Sequence, residues 1–334
     1  MKSKIPFLPN RKKGNKISGN VPQLIKKILE GELSDIKLSA ALVCLKHKKH
    51  PELYKKAFPV IDSFKKDIPH IKDSVEIGYP SKRKRFSPYF LIPASIVLSL
   101  FPDSSVKIVF HGENTNHPST KDIFDYLNIS PLAVEDSYDF LTHLNVSFFN
   151  RKLLLPELSQ VSKIRFELNI KDIFFYIERF LNPVSSDYVI YGVRNEREVD
   201  FYKKLLEGRY KKTAVVVNGE EFPDIVSSGT VFVGNTPVEV DLSTFNANNL
   251  NFQQFSLEEH LEFINKLLSK QLPQYENLLH VNGGLILLLK GKVKELKEGF
   301  EISKELFNKY DYRQILHNIQ KYSDYLNYKN IYQL

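Results

Sequence analysis

From about residue 73 onward, short apolar runs of strand length alternate with segments of helical periodicity. The runs are 75–78, 106–111, 188–193 and 213–219, then the pair 230–233 and 238–242. Each of the first four is followed by a helix-competent stretch. A continuous apolar run suits a strand buried on both faces, and an intervening helix supplies the crossover that parallel neighbours need. The alternation therefore predicts an α/β unit with a mainly parallel sheet flanked by helices.

The chain opens differently. Val21, Leu24, Ile25, Ile28 and Leu29 recur at helical spacing up to Gly31, and Ser34 stands at the N-cap position of a second helix with Leu38, Ala41, Leu42 and Leu45 on its apolar stripe. A third helix is predicted over residues 51–66. Residues 131–181, between the second and third strand runs, read as a long helical insertion that returns to these first helices. The expected organisation is a basic tail (1–16), a small discontinuous all-helical domain (17–70 and 131–184), and a larger α/β domain (71–130 and 185–334). The end of the chain, 257–328, is again helical, with Gly283-Gly284 and Gly291 as punctuation.

Composition narrows the function classes. The longest apolar stretches, 90–101 and 285–289, fall short of the ~20 residues of a membrane-spanning helix. No apolar segment with a small-residue cleavage site follows the basic N-terminus. Cys44 is the only cysteine, so neither an intrachain disulfide nor a cysteine-rich zinc site is available. The expectation is a cytoplasmic protein that makes no membrane contact. Of 47 basic residues, six lie in residues 1–16 and four form the run Lys82-Arg83-Lys84-Arg85; the remaining 37 face 39 acidic ones. Two short segments own the excess charge of +8, which makes polyanions the natural partners.

Taken in order, several short motifs resemble the anthranilate phosphoribosyltransferases, whose architecture pyrimidine nucleoside phosphorylases share. Gly78 ends the first strand and Phe86-Ser87-Pro88 opens the following helix; His111-Gly112 ends the second strand. Arg165, Leu168 and Asn182-Pro183 follow in the insertion. Gly192-Val193, Val216-Val217-Asn218-Gly219, Asn282-Gly283-Gly284, Gly291-Lys292 and Glu298-Gly299 complete the set. The resemblance covers nearly the whole chain and implies the two-domain fold just described. It also implies a homodimer, here through the faces of residues 21–46.

The same resemblance implies a site, with departures. Glycines of the family's phosphate loop let backbone N–H groups approach a pyrophosphate closely. Here the stretch reads Gly78-Tyr79-Pro80-Ser81-Lys82, and Pro80 removes a donor. The phosphate-binding Ser-Thr pair is matched by Tyr89-Phe90, and the lysine before His-Gly by Phe110. The Asp-Glu metal pair is matched by Pro223-Asp224, which leaves Asp224 as one weak ligand for Mg²⁺, expected only if the chain is enzymatically active. Arg165 matches the arginine that holds the acceptor's aromatic carboxylate, or else forms an ordinary ion pair with Glu167 or Asp172.

The phosphate or nucleic-acid set implied is Gly78, Lys82, Arg83, Lys84, Arg85, Ser87, Tyr89, His111 and Gly112. A divergent branch of the family lacks the glycine loop and is associated with nucleic-acid binding, and this sequence resembles that branch. Three readings stay open at this point. The chain binds a phosphate-rich ligand such as nucleic acid at the interdomain cleft without the parent activity. Alternatively it is an active phosphoribosyl or glycosyl transferase with an aromatic acceptor. Finally, it is a structural homologue with no surviving ligand.

Overall fold

A computed structural model describes residues 21–332 apart from 48–49, 81–83, 85, 102–105, 114–118, 131–132 and 251–253. Seven strands form one sheet: β1 (Ser74–Gly78), β2 (Lys107–Gly112), β3 (Val146–Asn150), β4 (Tyr188–Val193), β5 (Lys212–Val217), β6 (Gly229–Val233) and β7 (Thr236–Val240). Their order is β3-β2-β1-β4-β5-β6-β7. The first five run parallel, and β6 and β7 add an antiparallel hairpin at one edge. In register, Gly78 of β1 lies beside Tyr191 of β4, and Gly192 beside Val216 of β5. The carboxyl ends of β1, β4 and β5 therefore open on one shared edge.

Alternating side chains feed two separate cores, as the period of two along a strand requires. Ile108 and Phe110 point to one and Val109 to the other, and Ile190 is likewise split from Val189 and Tyr191. One face is covered by α1 (Val21–Leu29), α2 (Asp35–Lys46), α3 (Pro51–Lys55) and α4 (Phe58–Phe64). The opposite face carries α5 (Leu91–Leu98) and α6 (Thr120–Tyr126). Next come α7 (Val134–Leu144), packed on β2 and β3, and α8 (Arg151–Leu154), α9 (Pro156–Leu168), α10 (Ile173–Ile177) and α11 (Val199–Leu206), which join α1–α4. Finally α12 (Leu257–Leu268), α13 (Pro273–Leu289), α14 (Leu296–Lys309) and α15 (Tyr312–Tyr332) complete the α5 side. In the insertion, α9 packs against α1 and α2, and α10 against α2.

Two sequence expectations are corrected. Residues 131–181 are not wholly helical, because Val146–Asn150 is a strand at the sheet edge. Asn145 ends α7 in the left-handed conformation, with φ of 60°, and turns the chain directly into β3, so no run of turn residues announces the change. Gly283-Gly284 does not punctuate anything either; both lie inside α13. A Cβ on Gly284 would stand 2.8 Å from the Phe300 nitrogen, and one on Gly299 would stand 2.8 Å from the Gly284 Cα. These glycines let α13 and α14 cross backbone to backbone. No described helix is long and apolar enough to cross a membrane.

Candidate functional site

In open α/β sheets ligands bind outside the carboxyl ends of the strands. Two segments meet there: the described part of the β1–α5 connection, residues 79–80, 84 and 86–90, and the segment after β5, residues 218–225. Their contact centres on Asp224, whose side chain is fully buried. Its Oδ1 accepts from the Tyr79 hydroxyl at 2.7 Å and from the backbone N–H groups of Phe90 and Leu91, each at 2.8 Å. Its Oδ2 accepts a short hydrogen bond from the Lys84 ammonium. Leu91 is the first residue of α5, so the carboxylate satisfies N–H groups that a helix start leaves without partners.

Lys84 is the third residue of the basic run, yet it is as buried as Asp224. Its ammonium also donates to the Pro88 carbonyl at 2.7 Å and lies 5.0 Å from the ring centre of Tyr89 and 5.4 Å from that of Phe222. Burial holds its pKa below the ordinary lysine value, against the opposing charges of Asp224 and Glu220. Burial and Asp224 together push the Tyr79 phenol well up. The expectation of an exposed four-cation run is thus corrected at Lys84. An ammonium cannot remain in an apolar interior unpaired, and Asp224 supplies the counter-charge. Lys82, Arg83 and Arg85 lie outside the described residues.

The remaining site residues divide as follows. Ser87 is buried and donates to Glu220 Oε2 at 2.6 Å, while the Phe86 N–H reaches Oε1 at 3.2 Å. Tyr89 is buried between the rings of Tyr79 and His260, both 5.1 Å away, and burial raises its phenol pKa. His260 is buried in α12 and donates through Nε2 to the Lys84 carbonyl at 3.0 Å. Gly78 accepts from Arg179 through its carbonyl, at 2.9 Å from Nη2, and a Cβ there would stand 3.1 Å from the Arg179 oxygen. Gly112 closes β2, where a Cβ would meet the Phe148 ring at 3.7 Å.

His111 and Arg165 are both committed to internal partners. His111 is buried and shares a 2.6 Å hydrogen bond through Nε2 with Glu76, which also accepts from the Asn182 N–H at 2.8 Å and from the Tyr210 hydroxyl. The Arg165 fork is divided between Asp172, at 2.8 Å, and Glu178. Glu178 also takes Arg151 Nη1 at 3.0 Å, and Arg151 Nη2 reaches Glu113 at 2.6 Å. The Asp172 partnership is the ion pair that the sequence offered as the alternative to acceptor binding. Burial works against the Arg165 charge, but Glu178 and Asp172 outweigh it and raise its pKa.

Arg179 was missed in the sequence. It is buried, and its Nη2 donates to the carbonyls of Gly78, Gly192 and Glu221 at 2.9, 3.0 and 3.0 Å. One guanidinium thereby ties the ends of β1 and β4 to the loop after β5. Its partners are carbonyls from three distant segments, which leave no trace in a local motif. Asn282 was noted only for its place beside Gly283; it fixes the same loop from α13, accepting from the Ile225 N–H at 2.8 Å and donating to the Ile225 carbonyl at 2.9 Å.

A mainly parallel sheet, covered on both faces and with loops drawn together at its carboxyl edge, defines an α/β protein whose candidate site is that edge. Within that class the chain belongs to the glycosyl transferase family, whose a/b domain model matches residues 105–309. It is similar to the anthranilate phosphoribosyltransferase of Bacillus cereus strain G9842, with 24% identity over 213 residues, 60% of this chain and 62% of that one. A Bacillus anthracis counterpart matches to the same extent. The match thus spans less than two thirds of these relatives' length. The anthranilate phosphoribosyltransferase structure from Thermus thermophilus superposes with a TM-score of 0.78 at 15% identity, over 93% of this chain and 97% of that one. The Saccharomyces cerevisiae enzyme in complex with PRPP and Mg gives 0.75 at 18%, over 92% and 93%. At such identities the structural likeness speaks for the fold alone.

The donors present do not fit a bound Mg²⁺. Both Asp224 oxygens are engaged by nitrogen and hydroxyl donors, and Glu220 accepts from Ser87 and Phe86. Among the described residues no group of three or more His, Cys, Asp or Glu side chains could hold a metal ion.

Proposed function

We propose that this chain is a glycosyl transferase family member in which the phosphoribosyl pyrophosphate site is closed by its own side chains. It holds a phosphate-rich partner, nucleic acid, at the carboxyl-edge loops without transferring a phosphoribosyl group. The observation that carries this reading is the buried Lys84–Asp224 pair. A pyrophosphate at this edge needs free N–H donors and a positive field. Here the Phe90 and Leu91 N–H groups serve Asp224 and the Phe86 N–H serves Glu220, so two carboxylates stand on the donors a phosphate would use.

Nucleic acid is favoured as partner by where the charge lies. Lys82, Arg83 and Arg85 flank the buried Lys84, and residues 1–16 carry six more cations and no acid. Cations grouped in short segments bind a phosphate backbone with no need for a shaped pocket. The chain acts as a homodimer in this reading. Ile36, Ala40 and Val43 form an exposed stripe on α2, with Ile36 83% exposed, and Phe166 on the neighbouring α9 is exposed too. Such a stripe suits an isologous contact between two copies.

The test pairs two assays. With PRPP, Mg²⁺ and anthranilate, pyrophosphate release should stay at the level without protein, while labelled oligonucleotides should bind in fluorescence anisotropy. Protein-dependent pyrophosphate release would replace this reading with the active transferase and an aromatic acceptor.

A further inference from the structure

The Lys84 ammonium is housed in more than a single ion pair. One of its three N–H groups meets Asp224 Oδ2 and another the Pro88 carbonyl at 2.7 Å. Around it stand the rings of Tyr89, Phe222 and Tyr79, with centres 5.0, 5.4 and 6.0 Å from Nζ. Aromatic faces within about 6 Å attract an organic cation through the ring quadrupole. The enclosure therefore combines one carboxylate oxygen, one carbonyl and three rings, and both charged side chains are closed to solvent.

This donor set suits an ammonium and not a divalent ion. Mg²⁺ dehydrates reluctantly and keeps several waters in its near-octahedral shell, for which an enclosure closed to solvent and lined by three rings leaves no place. Two oxygens face Lys84 here, and Asp224 Oδ1 already accepts from Tyr79, Phe90 and Leu91. The Phe222–Ile225 wall of the enclosure is held by contacts that do not involve the lysine. Asn218 Nδ2 donates to the Phe222 and Asp224 carbonyls at 2.6 and 2.9 Å, and Asn282 holds Ile225.

We infer that Asp224 is the anchor of an ammonium site, with Lys84 as the chain's built-in cation, and that the enclosure emptied of this side chain takes a free alkylammonium in preference to Mg²⁺. The inference rests on the reading that these loops are closed. It makes the joining of Lys84 to Asp224 independent of divalent cations.

Lys84→Ala removes three methylenes and the ammonium, which is the outline of n-propylammonium. Thermal unfolding of this variant is followed with propylammonium chloride, with 1-propanol as the neutral isostere, and with MgCl₂ at matched ionic strength. Propylammonium should raise the midpoint with the logarithm of its concentration above the dissociation constant, by about 2–4 °C at tenfold over that constant. It should leave the intact chain unmoved, and the other two additives should have no such effect. Adding Asp224→Asn to Lys84→Ala should abolish the response. If Lys84→Ala does not fold alone, the same additives are compared by the yield of refolded protein. On the intact chain, water-proton relaxation with Mn²⁺ should show no binding that Asp224→Asn removes.

No stabilisation by propylammonium beyond that by 1-propanol would overturn the inference, as would an Asp224-dependent stabilisation by Mg²⁺ larger than that by the amine. Asp224-dependent Mn²⁺ binding by the intact chain would do the same. All these measurements omit PRPP, so pyrophosphate release would sink the functional reading while the ammonium response is judged separately.

Discussion

Lys84 and Asp224 stand 140 positions apart in the chain and share one ion pair from which solvent is excluded on both sides. Their contact joins the loop after β1 to the loop after β5 and caps the start of α5. Removing one partner of such a pair leaves an unmatched charge in the interior, which costs about 3–5 kcal/mol. Asp224→Ala should therefore lower the free energy of urea unfolding by roughly that amount. Adding Lys84→Met should recover part of the loss, because the orphaned ammonium goes with it. A double variant whose loss equals the sum of the Asp224→Ala and Lys84→Met losses would show that the pair carries no coupling.

With Lys84 withdrawn from the surface, three cations of the run remain to meet a polyanion. Three phosphate contacts give a slope of log K against log salt of about −2.7 on duplex DNA and about −2.1 on a single strand. Replacing Lys82, Arg83 and Arg85 by alanine should flatten the slope by that amount and weaken binding alike across sequences, since phosphate contacts do not read bases. A chain lacking residues 1–16 is the control. Binding abolished by that deletion and untouched by the triple variant would place the polyanion on the tail.

The exposed stripe on α2 gives an association test. Ile36→Glu with Val43→Glu places like charges face to face across a two-fold contact and should convert a dimer into single chains in light scattering. These side chains lie outside both cores, so the folded circular-dichroism spectrum should persist. A wild-type chain that is monomeric at high micromolar concentration ends the dimer proposal.

His280 sets a pH dependence. It is buried between the rings of Phe300 and Phe307, and burial lowers its pKa to about 3. Between there and the ordinary value near 6.5 the unfolded chain binds a proton that the folded chain excludes, so stability falls as pH drops through this window. The loss should approach about 1.4 kcal/mol per pH unit. Urea unfolding at pH 5, 6 and 7 should show this fall, and His280→Leu should lose the His280 part of it. An unchanged slope in the variant would assign the dependence to other groups.

The sheet and its flanking helices were legible in the sequence because their signals are local. A buried parallel strand is a continuous apolar run, a helix repeats its apolar positions every three or four residues, and both patterns fit inside a short window. β3 escaped because a left-handed Asn145 joins it to α7 without a loop, so its five residues merged with the helical text around them. The motif order in the sequence also located the two loops that meet at the carboxyl edge. What lies between those loops was decided by tertiary structure alone. A lysine within a basic run reads as solvated, and only its encounter with a carboxylate 140 positions away makes burial tolerable. Arg179 is the same case in neutral form, its guanidinium filled by three carbonyls from segments that only folding brings together. Local order fixes which residues can form strands and helices. Whether a charged side chain faces a ligand or a partner in its own chain depends on what the fold sets beside it, and desolvation makes that choice nearly all-or-none.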